Sequence, residues 1–260
     1  RDIIEANDAF VPSMMGVTPP AGIYAHIAGV DMVKADGEFF VLEDNVRTPS
    51  GVSYMIGNRE AEMRLFPNLF RQHRVRPVDH YTDFLRDSLR SVAPQKDHEP
   101  KVVVMTPGRF NSAYFEHAFL ARQLGCDLAE ADDLTVRGGH VYLKTLEGLQ
   151  PVDVILRRTD TAWCDPLELR ANSTLGVPGL MAAARQGKVS IVNTLGSGVV
   201  ESPGLMPFLP GLSQRLLGQE LKMPSVATWW CGQAAEREQV LAQLDRMVVK
   251  PAFPADRGEP

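Results

Sequence analysis

Cysteine is sparse in this chain. Cys126, Cys164 and Cys231 are odd in number and widely spaced, which gives neither a disulfide framework nor the paired spacing of a zinc site. Long apolar runs are missing as well. No window approaches about 18 consecutive apolar residues, so no stretch reads as a membrane-crossing helix. The opening residues, Arg1 through Asp8, have neither the basic start nor the apolar centre of a secretory leader, and a cytoplasmic location is expected. Basic charge is not concentrated anywhere: 27 Lys and Arg stand against 32 Asp and Glu, a net charge of -5, which argues against a nucleic-acid partner. There is no G-x-x-x-x-G-K-[ST] loop, and Thr106-Pro107-Gly108 and Gly196-Ser197-Gly198 both lack the spaced third glycine of a dinucleotide fingerprint. The six histidines show no metal-binding spacing, and no Ser-His-Asp or Cys-His arrangement stands out. What is present is 260 residues, 44% of them hydrophobic, enough to bury a large core.

The densest chemistry lies between Asp31 and Tyr54. Val30, Met32 and Val33, then Phe39 through Leu42, read as two short strands with Asp36-Gly37 in the turn. A three-residue loop, Ala35-Asp36-Gly37, pairs Lys34 with Glu38 and Asp31 with Val41, one diagonal step from Glu43. Asp31, Glu43 and Asn45 then share a face. A two-residue loop shifts the register by one and sends Asp31 to the face opposite Glu43, so the arrangement depends on that turn. Two carboxylates and a neutral amide oxygen suit Mg²⁺, which takes one or two carboxylates and completes its shell with waters and phosphates. The same residues also fit a solvated strand end with Asp31 as an edge charge.

Further along, residues 59–89 read as helices, with Met63, Leu65, Leu69 and Phe70 turned toward a core. After a polar linker at 93–100, strands are expected at 101–106, 127–129, 152–156 and 189–193, helices at 112–124 and 179–186, and a hairpin around Arg137 to His140. This alternation implies an α/β layer with a mainly parallel sheet. Thr106 through Asn111 end one strand where such sheets collect ligands, and Asn111 there either meets substrate or caps the next helix. Arg157 and Arg158 end another strand at the same edge. Their planar forks suit a carboxylate or phosphate, or an ion pair with Asp153 or Asp160. An amphipathic helix over 234–247, with Val240, Leu241 and Leu244 as its apolar positions, leads into a strand that Lys250 finishes, either as an exposed charge or as a phosphate partner. Trp229 and Trp230 are expected in the core.

Several motifs occur in a set order. They are Val41-Leu-Glu-Asp-Asn-x-Arg-x-Pro-Ser-Gly-Val-x-Tyr54, Asn58-Arg59, Thr106-Pro-Gly-x-x-Asn111 with Tyr114-Phe-Glu-His117, Val152-Asp-Val-Ile-Leu-Arg-Arg-Thr-Asp160, Leu175-Gly-Val-Pro-Gly-Leu180 and Val249-Lys-Pro251. Together they resemble the circularly permuted ATP-grasp family (type 2), related to glutathionylspermidine synthetases. The resemblance implies an α/β fold with a circularly permuted ATP-grasp core and a Rossmann-like α/β domain, present as a fragment of a longer chain. Residues 1–95 would carry the metal hairpin and helices, 96–200 the pre-ATP-grasp-like domain, and 201–260 the start of the ATP-binding lobe, with a phosphate-covering loop beginning at 251–260. It implies Asp31, Glu43 and Asn45 as magnesium ligands, Lys250 on ATP, and Arg47, Thr48 and Ser50 in the loop that holds a carboxylate beside the γ-phosphate. Arg47 and Ser50 would act in catalysis, and Thr48, with Asn111, Arg157 and Arg158, in substrate binding. The implied function is an ATP- and Mg²⁺-dependent carboxylate-amine ligase working through an acylphosphate. Its partners would be a small-molecule acid and amine, with no nucleic acid or membrane and with room for a protein partner or fused domain. The alternative is a catalytically inactive ATP-grasp nucleotide-binding module acting with a partner protein. A dinucleotide-dependent oxidoreductase on the 101–193 layer lacks the glycine fingerprint.

Overall fold

Strands and helices follow one another in a computed structural model that describes residues 1–253. They are α1 (Asp2–Glu5), β1 (Gly29–Ala35), β2 (Glu38–Asn45), α2 (Val52–Leu65), α3 (Pro67–His73), α4 (Tyr81–Ser91), β3 (Val102–Met105), α5 (Tyr114–Leu124), β4 (Asp127–Ala129), β5 (Leu134–Arg137), β6 (His140–Thr145), β7 (Gly148–Pro151), β8 (Val154–Arg157), α6 (Leu180–Arg185), β9 (Ser190–Val192), α7 (Leu209–Leu217) and α8 (Ala234–Leu241). The fold is mixed α/β with parallel and antiparallel sheets. Contacts gather the chain into two units, each built from non-consecutive segments: Arg1–Met15 with Ala28–Arg47 and the chain from Gly196 onward, and Gly16–Ile27 with Thr48–Leu195.

The second unit holds a four-stranded parallel sheet in the order β4-β3-β8-β9. Its strands are continuous apolar runs because a parallel sheet is covered on both faces. Val103, Val104, Met105, Val154 and Ile155 are accordingly fully buried. Helix α4 packs on this sheet through Leu85 and Leu89, one turn apart, and α5 through Leu120 and Leu124, all in one cluster with Val104, Leu156 and Val192. Gly125, left-handed at φ 68°, ends α5 and turns the chain into β4. A meander β5-β6-β7 completes the unit. Its first turn, Gly138-Gly139, has both residues at positive φ as a tight hairpin requires, and β7 is a strand that the sequence reading did not anticipate.

The helices before α4 differ from expectation. Helix α2 begins at Val52 rather than near Arg59, and Met63, Leu65 and Leu69 are exposed, with Phe70 only half-buried. Tyr54, Met55, Met63 and Leu65 spread around the helix axis instead of forming a stripe, so one face cannot bury them together. Only Ser53 and Ile56 of α2 are buried.

In the first unit, β1 and β2 form the expected hairpin with an unexpected turn. The loop has two residues, Asp36 at φ 52° and Gly37 at φ 90°, and Ala35 pairs with Glu38 and Lys34 with Phe39. The ladder then shifts register between Asp31 and Met32: Met32 pairs with Val41 but Asp31 with Glu43, leaving Leu42 as the extra residue of a β-bulge. The three-residue loop is therefore corrected, while the bulge returns Asp31 to the face of Glu43. The outer edge of β2 is closed where Val41 N donates to Pro224 O at 2.9 Å and Val226 N donates to Val41 O at 2.9 Å.

Toward the end, α8 is shorter than the amphipathic pattern suggested. Val240 is buried, while Leu241 and Leu244 are exposed. Residues 247–250 are not a strand. No described strand lies beside them to take their backbone N–H and C=O groups, and Val248, Val249 and Lys250 are exposed. Trp229 and Trp230 are half-buried, Trp230 edge-on to Phe253 at 6.5 Å. The phosphate-covering loop expected over 251–260 lies, from residue 254, outside the described residues.

Leu89, 1% exposed, joins α4 to the sheet. Leu89→Ala is expected to lower unfolding free energy by about 2–5 kcal/mol in urea titrations, and a loss well below that range would refute its central place in the core.

Candidate functional site

The bulged hairpin determines which oxygen-bearing side chains meet. Asp31 and Glu43 are directly opposed, and residues opposed across an antiparallel ladder share a face. Asn45, two residues beyond Glu43, returns to that face, and its partner Gly29 contributes no side chain there. Asp31 and Glu43 are exposed and Asn45 is half-buried. Asp44 points to the other face, where burial raises its carboxyl above the ordinary carboxylate value. Among the described residues no three His, Cys, Asp or Glu side chains form a ready-made metal cluster. The set of two carboxylates and one amide on this face fits the hard, water-keeping Mg²⁺ and does not fit zinc.

Directly after β2 the chain is held by one carboxylate. Glu201 Oε1 accepts from Val46 N and Arg47 N, both at 2.6 Å, and Arg47 Nε donates to Glu201 Oε2 at 2.5 Å. Ser197 Oγ donates to Val46 O at 3.0 Å. A Cβ on Gly198 would clash with the Arg47 side chain, so any larger residue there would push Arg47 aside. The Gly196-Ser197-Gly198 loop thus seats Arg47. Glu201 was missed by the sequence reading, because a contact across about 150 residues leaves no local pattern.

In the second unit a buried polar cluster sits at the carboxyl end of β3 and β8. Glu116, in the first turn of α5 and 1% exposed, receives Gly51 N at 2.7 Å, Ser53 N at 3.2 Å and Ser53 Oγ at 2.8 Å. Arg158 lies 3.7 Å from Glu116 through Nη2, which also donates to Thr48 O at 3.3 Å. Burial pulls the Arg158 guanidinium below its ordinary pKa and Glu116 opposes that fall. Among the described residues, none partners the buried Arg158 Nε or the buried hydroxyls of Thr159 and Thr161. Thr106 Oγ1 lies 2.8 Å from His117 Nδ1 and accepts from Gly108 N at 3.2 Å. Desolvation, aided by Arg158, pushes His117 down to about 4. The imidazole is therefore neutral at physiological pH.

The structure sorts the sequence candidates by unit. Asp31, Glu43, Asn45, Arg47 and Lys250 belong to the first, and Thr48, Ser50, Asn111, Arg157 and Arg158 to the second. Lys250 is exposed on irregular backbone, not at the end of a buried strand. Ser50 is exposed; Thr48 is half-buried. Asn111 Oδ1 accepts from Ala113 N at 2.9 Å, which builds the turn into α5. Arg157, 1% exposed, donates to the backbone carbonyls of Thr159 at 2.7 Å, just past β8, and of Asn193 at 3.3 Å, a bond that ties β8 to the end of β9. Glu116 belonged to a quoted motif, yet its role appears only when α5 is folded against the 48–53 loop.

Residues 1–260 match the family model described as circularly permuted ATP-grasp type 2. An uncharacterized protein of Mycobacterium tuberculosis (strain ATCC 25618 / H37Rv) is 44% identical over 252 residues, covering 96% of this chain and 46% of its own length. One from Synechocystis sp. is 43% identical over 252 residues, covering 96% of this chain and 52% of itself. Another Mycobacterium tuberculosis protein, also uncharacterized, is 38% identical over 250 residues, covering 96% and 28%. The chain thus spans about half or less of the length of these relatives.

The buried histidine has a pH signature. Unfolded, His117 takes a proton near 6.5; folded, only near about 4. Between those values the unfolded chain binds more protons, so stability is lost as pH falls from about 6.5 toward 4, by at most about 1.4 kcal/mol per pH unit. His117→Asn is expected to flatten the slope in that window when unfolding free energy is measured at several pH values. An unchanged slope would remove His117 as its source.

Proposed function

The chain belongs to the circularly permuted ATP-grasp type 2 family, and from that premise we propose that the protein is an ATP-dependent carboxylate-amine ligase of the glutathionylspermidine synthetase-like kind. The observation that supports this reading best is the register of the hairpin, with Asp31 opposite Glu43 and Asn45 on the same face. Asp31, Glu43 and Asn45 would hold magnesium, which when bound neutralises charge on the nucleotide phosphates.

In this reading a carboxylate oxygen of the acid attacks the γ-phosphorus of ATP, the bond to the β-phosphate oxygen breaks, and ADP leaves. The amine then attacks the acyl carbon of the acylphosphate, phosphate departs, and the amine proton passes to solvent. Arg47, with its backbone and Nε fixed by Glu201, and the exposed Ser50 would act in catalysis, and Thr48 in binding the acid. Lys250 meets nucleotide phosphate. Positioning and charge stabilisation carry such a phosphoryl transfer, so no nucleophilic serine or cysteine is called for. Asn111 and Arg157 serve the fold here, since the bonds they make build a turn and join two strands. Residues 1–95 carry the metal hairpin, 96–200 the Rossmann-like layer with its parallel sheet, and 201–260 the opening of the ATP-binding lobe. Among the described residues no helix is long and apolar enough to cross a membrane, and cytoplasmic action on small molecules is part of the proposal.

One observation favours a second reading. Lys250 lies outside any strand, and an ATP-grasp nucleotide-binding module without ligation, acting with a partner protein, needs less of that lobe in place. Calorimetry of the full-length protein with a non-hydrolysable ATP analogue separates the two when followed by ADP-release assays over acid and amine pairs. The ligase reading expects Mg²⁺-dependent binding that drops at least about ten-fold in Asp31→Asn and Glu43→Gln, together with ADP release. Binding without turnover favours the module, and no binding by the intact protein removes both.

A further inference from the structure

We propose that Glu116 and Arg158 are positioning residues for the acid substrate: their buried pair fixes the 48–53 loop, and with it Thr48 and Ser50, in the conformation that receives a carboxylate. This rests on the reading of that loop as the acceptor loop. Residues 48–51 lie between β2 and α2 without regular structure, and 52–53 open α2 where the first amides have no intrahelical acceptor, so these backbone groups need partners from elsewhere. The loop finds them on two side chains that are distant in sequence. Glu116 accepts from Gly51 N, Ser53 N and Ser53 Oγ, and Arg158 Nη2 donates to Thr48 O. Four groups of a six-residue loop are thus held by one ion pair whose side chains are 1% and 2% exposed.

Two physical points separate positioning from simple stability. Removing two charges from water is costly, and a well-packed apolar pair generally stabilises a core as well as a buried ion pair does. At 3.7 Å the Arg158–Glu116 contact is also not a tight one. What the pair supplies that an apolar pair lacks is direction, because a carboxylate must meet N–H groups and a guanidinium must meet carbonyl oxygen. Glu116 also places an anion at the N-terminus of α2, where Gly51 and Ser53 present helix-start amides that have no intrahelical acceptor. Gly51, at φ 113°, adopts a backbone conformation that a side chain would strain, so the loop approaches Glu116 in a shape reserved for glycine.

The test uses the full-length protein with Glu116→Gln and Ser53→Ala. Amide hydrogen exchange is read at 48–53 and, as control, in β3 and β8; ADP release is measured with a panel of L-amino acids as acids and hydroxylamine as amine. Glu116→Gln is expected to speed exchange at Gly51 and Ser53 about ten-fold or more, leaving β3 and β8 unchanged. KM for the acid should rise about ten-fold with kcat changed less than about three-fold, and binding of the Mg²⁺–ATP analogue should be unaltered. Ser53→Ala, which removes one bond, should shift both quantities in the same direction by less, and it carries the test if Glu116→Gln does not fold. Unchanged exchange at Gly51 and Ser53 overturns the clamp. Faster exchange throughout β3 and β8, or faster loop exchange with an unchanged KM, overturns the positioning role. If the wild-type protein neither binds the analogue nor releases ADP, the ligase reading and the acceptor role fall together, while exchange still decides whether Glu116 holds the loop.

Discussion

Strand β2 has one residue more than β1 can match, and the face of the hairpin depends on where that residue goes. Because side chains alternate along a strand, a register change of one residue moves every later side chain to the other face. The two-residue turn at Asp36-Gly37 makes one such change relative to a three-residue loop, and the bulge at Leu42 makes the compensating one. Asp31, Glu43 and Asn45 owe their common face to both together. Val41, buried and bridged on its outer edge to Ser225, anchors β2 next to the irregularity.

Beyond the hairpin the chain passes through residues 46–53, and two carboxylates take up its amides. Glu201 receives Val46 N and Arg47 N in one unit, and Glu116 receives Gly51 N and Ser53 N in the other. Each carboxylate is also paired with an arginine, Glu201 with Arg47 and Glu116 with Arg158. The electrostatic settings differ. Arg47 is partly exposed and Glu201 less so, whereas Glu116 and Arg158 are almost wholly buried, so a missing partner is much more costly in the second pair. The stretch that carries Arg47, Thr48 and Ser50 is therefore held at both halves by side chains far away in sequence.

Much of the parallel layer was legible beforehand. The runs at β3 and β8 are short, apolar and uninterrupted, and helix α5 with its following glycine carries the ordinary signs of a helix and its end. Strand residues that must be buried on both sides leave such a mark in composition. The helices α2 and α3 and the chain at 247–250 left a misleading one. Met63, Leu65, Leu69, Val248 and Val249 are apolar at spacings that suggest burial, yet each needs a neighbouring surface that the fold of the described residues does not bring to it. Arg157 and Asn111 show the same limit for polar groups: residue type gave their capacity for hydrogen bonding, while the fold assigned those bonds to carbonyls of Thr159 and Asn193 and to the amide of Ala113.

By itself the amino-acid order determined the α/β alternation, the hairpin, the carboxylate and amide side chains on it and the family motifs, because these depend on residue chemistry and on periods of two and of 3.6 that are written locally. Tertiary structure alone decided the turn length and its compensating bulge, the carboxylates that hold residues 46–53, and the depressed basicity of His117. Each of these depends on which distant groups share a low-dielectric interior or one strand ladder, and such neighbours are set only when the chain has closed on itself.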